Sequence, residues 1–171
     1  MAKRVAIVTL CIVLLVSIVV NIYLAKQRNE VINAGSSAFD NAFAHLQTAV
    51  TMPIGAVPNN SPAAREGEVA SAAAYLTSAA YFLNKRGVAH VAGIAQALYL
   101  FSFDLPYPNV VGKVKGRNPW AWIVKTQDEF QSVETAQGMD LSQLKAGISN
   151  LYNSMPVSNS QKQSFYSLTP Q

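Results

Sequence analysis

Cysteine is nearly missing from this chain: the 171 residues include one, Cys11. A single thiol cannot close an internal disulfide, and no thiolate metal site can form outside the apolar run that holds it. Charge is scarce as well, at 13% of residues, where ordinary soluble domains carry about 25%. Histidine occurs only at His45 and His90, which leaves little material for histidine-based catalysis or ligation. Nucleophile elbows, phosphate loops, dinucleotide fingerprints and H-E-x-x-H zinc motifs are all absent. Glu66 and Glu68, and likewise Asp128 and Glu129, stand at helical spacings that point apart and do not converge as a carboxylate pair. The sequence therefore assigns no catalytic residue, no metal ligand and no cofactor, and the expectation is a non-enzymatic chain.

The net charge is +4. Lys3 and Arg4 account for half of it, and the remainder carries 11 basic and 9 acidic residues. So even a balance excludes the strongly basic face of a dedicated nucleic-acid binder.

What is present is one long apolar run. From Val5 to Leu24 the chain reads VAIVTLCIVLLVSIVVNIYL, without a charge. About 20 residues at ~1.5 Å each cross the ~30 Å hydrocarbon core as a helix that satisfies its own backbone. Lys3 and Arg4 precede the run, Lys26 and Arg28 follow it, and Tyr23 suits the interface. Val5, Leu14 and Leu24 mark the start, middle and end of the expected span. A cleaved signal would want small residues at its cleavage site. A cut after Ala25 puts Tyr23 at the antepenultimate position, so the reading is an uncleaved anchor. A lipoprotein signal is disfavoured because Leu10 precedes Cys11. The cationic N-terminal tail is the expected cytoplasmic end, which puts the remaining chain outside.

Beyond the anchor, assigned to residues 1–25, residues 26–156 read as an all-α, antiparallel bundle of four to five helices. The first runs over 26–52 with Val31, Ala34, Ala38, Ala42, Phe43, Leu46, Ala49 and Val50 as its stripe. Gly35 is the expected point of flexure, and Met52-Pro53 the stop. A proline-rich loop leads to an alanine-rich helix over 64–83, opened by Ser61 or Pro62 and closed by Asn84-Lys85-Arg86-Gly87. The next helix is expected from Val88 to Leu105. The rival reading of residues 69–105 is a hairpin dipping into the membrane, but both apolar runs fall short of the ~18–20 residues of a span. Pro119 opens a helix over 120–137, and Asp140 caps one from Leu141 to Met155. Residues 157–171 read as a polar, partly disordered tail in which Phe165, Tyr166 and Leu168 are the docking candidates.

One cluster invites a functional reading. Lys113, Lys115 and Arg117 alternate through a glycine-bearing loop that leads into Trp120, Trp122 and Lys125. Cations beside tryptophans fit anionic lipid headgroups or a protein partner. The competing reading is a solvated loop followed by a helix whose tryptophans fill the core. The same choice applies to His45 and His90, which are either a paired site or two ordinary half-buried histidines. The whole sequence points to a membrane-anchored accessory or sensor-type protein that binds a protein partner. A ligand-binding helical module is the alternative, followed by an envelope hydrolase, which would need a histidine to meet a carboxylate.

Overall fold

The computed structural model describes residues 2–53, 61–103, 118–135 and 138–167. Among them the chain is all-helical, with six helices: α1 (Ala2–Thr51), α2 (Pro62–Lys85), α3 (Val91–Ser102), α4 (Pro119–Val133), α5 (Leu141–Ser154) and α6 (Asn159–Ser167). Two two-residue strands, β1 (Glu134–Thr135) and β2 (Gly138–Met139), pair antiparallel between α4 and α5. The chain divides into two units, Met1–Ala34 and Gly35–Gln171.

The first unit is the apolar length of α1. It is long and apolar enough to cross a membrane, and none of the helix's most apolar window is buried within the chain. Leu14 and Leu24 are 55% and 53% exposed. Val5 lies in α1, but its side chain is outside the described residues.

The second unit carries the core. Along the rest of α1, Gly35, Phe39, Ala42, Phe43, Leu46 and Ala49 are buried, at the spacing of one helix face. Gly35, the expected point of flexure, is the first residue of the second unit and is also a point of close approach. A Cβ placed on it would stand 2.6 Å from Cβ of Phe82. Thr51 ends the helix, where Pro53 follows and the residue before a proline leaves the α region.

Ser61 caps α2 by accepting from the Ala64 amide at 3.1 Å, with Pro62 in the first turn, where its missing N–H costs nothing. The C-terminal reversal is a double bond pattern closed on glycine: Gly87 N–H donates to Asn84 O at 2.8 Å and Val88 N–H to Leu83 O at 3.0 Å. Gly87 sits at φ +75°, the left-handed position that glycine takes without strain. His90 follows at φ 71°, and this second left-handed residue delays α3 until Val91. That delay is why α3 begins three residues later than periodicity alone suggests.

Asn118 caps α4, its Oδ1 accepting from the Trp120 amide at 3.0 Å. α4 stops at Val133 rather than continuing to Gln137, because the chain turns there into the β1–β2 rung. Asp140 caps α5, accepting from the amides of Ser142 and Gln143 at 2.8 and 3.2 Å.

The segment expected as a polar, partly disordered tail carries α6 over Asn159–Ser167, and residues 168–171 lie outside the described residues. Ser158 Oγ accepts from the Gln161 amide at 3.3 Å, and Gln161 Oε1 accepts from the Ser158 amide at 3.0 Å. These reciprocal bonds make a capping box. Phe165, 4% exposed, anchors the helix in the core, and Tyr152 Oη donates to Lys162 O at 2.9 Å.

Within this unit α2 packs on α3, α4 on α5, and α3 on α5 and α6. Phe39 meets Phe130 at 4.7 Å between ring centroids. Phe101 stands edge-on to Trp122 at 5.4 Å, a favoured aromatic geometry.

Candidate functional site

Alanine shapes a groove on the second unit. α2 and α3 meet through short side chains, and these leave a groove of about 340 Å³ on one side of the pair. Ala70, Ala73 and Ala74 of α2 face Ala92 and Ala95 of α3 across it, and Phe165 of α6 completes the lining. Thr77, Gln96 and Tyr99 supply its polar atoms, and none of the described residues lining it is charged. Tyr99 is half-exposed, as are Tyr75 and Tyr81 on α2. An uncharged, alanine-walled groove flanked by accessible tyrosine suits an apolar side chain or helix face, since tyrosine brings contact area and one hydrogen-bonding group at low entropic cost.

A second constellation joins α1 to α2. His45 Nδ1 lies 2.7 Å from Glu68 Oε2, with the two side chains 33% and 30% exposed. The His45 ring stacks on Tyr75 at 5.3 Å between centroids and 15° between planes. A carboxylate on Nδ1 fixes the imidazole so that Nε2 is the outward nitrogen, which supplies two parts of an acid–base triad. The third part, a nucleophile hydrogen-bonded to that nitrogen, is not found among the described residues. No group of three or more His, Cys, Asp or Glu side chains suited to a metal converges there either. His45 therefore does meet a carboxylate, and the pair clips α1 to α2. Sequence spacing gives no hint of this contact, because the two residues belong to different helices and stand 23 positions apart.

The histidines do not pair with each other. His90 belongs to the turn before α3, where its ring stacks on Tyr152 at 4.2 Å between centroids. Burial pulls its pKa below the ordinary 6.5, because desolvation disfavours the imidazolium.

The basic and tryptophan cluster resolves into separate roles. Lys113, Lys115 and Arg117 lie outside the described residues. Trp122 faces inward, 4% exposed, and its indole N–H donates to Leu151 O at 3.0 Å. It is a core residue, unavailable to a lipid or partner surface. Trp120 packs partly buried against the core, with the Arg65 guanidinium 4.5 Å from its ring centroid. Arg65 also donates from Nη2 to Met52 O at 2.7 Å, tying the end of α1 to the first turn of α2. Burial lowers the Arg65 pKa, but a guanidinium stays charged throughout the working range. Lys125 is exposed, and its ammonium donates to Ser154 Oγ at 3.2 Å.

No family model, curated protein or solved structure matches the chain.

Proposed function

We propose that this chain is a single-span membrane protein whose helical unit, arranged as an antiparallel bundle outside the cytoplasm, docks an apolar segment of a protein partner in the groove between α2 and α3. The observation that carries the reading is the contrast along α1. Large apolar side chains from Ile12 to Leu24 are each about half-exposed or more, at 48–64%, and among the described residues the buried hydrophobic core begins at Phe39. Uncovered apolar surface of that extent is rare on a soluble chain, and a bilayer supplies its cover. The partner reading rests on the groove itself: it is uncharged, walled by alanine and accompanied by accessible tyrosine, features suited to a helix laid into a groove.

The small-ligand alternative is supported by one quantity. About 340 Å³ falls at the low end of the ~300–1,000 Å³ of small-molecule sites.

The test begins with alkaline extraction of membranes containing the full chain, which should leave it in the pellet. The tagged chain is then solubilised and recovered alongside a Thr77→Arg variant, whose side chain fills the groove. A stoichiometric partner held by the native chain and lost in the variant is the expected outcome. Repeated recovery of the native chain alone, or a partner indifferent to Thr77→Arg, overturns the groove assignment. Protease protection on intact cells reads the orientation.

A further inference from the structure

The apolar length of α1 contains a polar side chain that a bilayer cannot satisfy. Asn21 is exposed, and no side-chain hydrogen bond engages it or Ser17 among the described residues. Ser17, Asn21 and Ala25 follow at successive intervals of four, so they lie on one face of the helix. The midpoint between Arg4 and Lys26 falls at Leu15. Asn21 is six residues further on, about 9 Å along the axis. The hydrocarbon half-thickness is ~15 Å, so the Asn21 amide lies roughly 6 Å inside the apolar layer. This depth rests on the membrane-span reading given above.

A carboxamide carries two donor hydrogens and an acceptor oxygen. Leaving them without partners in hydrocarbon costs several kcal/mol. Lipid tails offer none, and the neighbouring positions Val20 and Ile22 are aliphatic. A second copy of the same span does offer them. Every copy inserts in the same direction, so two side-by-side copies bring Asn21 to Asn21 at equal depth. The carboxamide is self-complementary there, each N–H donating to the other's oxygen. Ser17 and Ala25, one turn to either side, are small enough to let the two backbones approach.

We propose that α1 self-associates as a parallel pair of spans, joined through Asn21 on the face formed with Ser17 and Ala25. The partner is a second copy of this chain.

The experiment uses the full chain in native membranes, in a Cys11→Ser background. Single cysteines are introduced by Ser17→Cys on the proposed face and by Val19→Cys on the opposite face. Under a mild oxidant, Ser17→Cys should give a disulfide-linked pair about tenfold more readily than Val19→Cys. Adding Asn21→Leu to Ser17→Cys should reduce the pair about tenfold, whereas Asn21→Gln should retain most of it. Leucine only increases apolarity, so loss of insertion cannot explain a loss of crosslinking.

Equal crosslinking of the two faces, or a pair indifferent to Asn21→Leu, overturns the self-association. Crosslinking of Ser17→Cys to a different protein in place of the pair also overturns it. Release of the Cys11→Ser chain by alkaline extraction is the separate result that overturns the membrane reading on which the proposal rests.

Discussion

Replacing Gly35 with alanine gives a sign that depends on whether this glycine bends the helix or seats a neighbour. In an exposed helix interior, alanine is favoured over glycine by about 1 kcal/mol. A glycine kept for flexibility would therefore show stabilisation in vitro. The structure demands the opposite. The added Cβ would stand 2.6 Å from Cβ of Phe82 and 3.1 Å from its Cγ, where carbon atoms in contact prefer ~3.5–4.0 Å. The Cβ of Phe82 is fixed to the α2 backbone, so no rotamer change removes the clash, and the two helices must separate by about an ångström. Overpacking of this kind costs ~1–3 kcal/mol. Setting the propensity gain against it leaves Gly35→Ala destabilised by about 1 kcal/mol. Gly67→Ala is the internal control, because nothing stands within 4 Å of its added Cβ and α2 should gain about 1 kcal/mol there. The two variants should differ by roughly 2 kcal/mol. Urea unfolding of the full chain in detergent, followed by tryptophan fluorescence, measures both. Gly35→Ala stabilised to the same degree as Gly67→Ala would refute the close-approach account.

Trp122→Phe should cost about 1 kcal/mol in the same assay, a modest figure because Leu151 O still accepts from Ser154 Oγ at 3.3 Å. Arg65→Met should cost ~1–2 kcal/mol through the lost bond to Met52 O and the uncovered ring, and should red-shift the emission of Trp120 as water reaches it. The pH dependence has two separate windows. The folded pKa of His90 is lowered from 6.5, so the unfolded chain takes that proton first, and stability is full above about 6.5 and falls as the pH drops beneath it. The folded pKa of Asp140 is lowered from 3.8, chiefly by the Gln143 amide, so its contribution holds above 3.8 and is lost below. His90→Asn, a residue tolerated in the left-handed region, should flatten the upper window and leave the lower one. Denaturation midpoints across the range distinguish these outcomes.

Most helices were legible because their determinants are local. Ser61-Pro62, Asn84 to Gly87, Pro119 and Asp140 are start and stop signals written within four residues of the boundary they set. Phe39 was placed beside the first stripe rather than at its centre, because periodicity ranks positions by apolarity and not by what they face. The helical form of α6 was not read although Ser158 and Gln161 form a capping box, since the surrounding Ser and Gln read as polar tail; its docking residue Phe165 was among the candidates named. The start of α3 was misplaced because a left-handed histidine carries no sequence mark. The site was much less readable. The helix over 64–83 was legible as alanine-rich, but whether alanines close a gap or leave a groove depends on what lies across from them. His45 with Glu68 and Arg65 with Trp120 are contacts between different helices, invisible at any helical spacing. Trp122 was readable as either core or surface, and the backbone carbonyl of Leu151 decided it.

The contact of Phe39 with Phe130 has a consequence in time. The two rings are about 90 positions apart, and a ribosome adds roughly 5–20 residues per second. The Phe39 ring, which ends up against α4, must therefore wait on the order of 5 to 20 seconds, from its own synthesis to that of its partner. Throughout that interval the Phe39 ring is offered to whatever else is within reach, so in a cell the yield of this fold is set partly by what shields that side chain until the fourth helix is made.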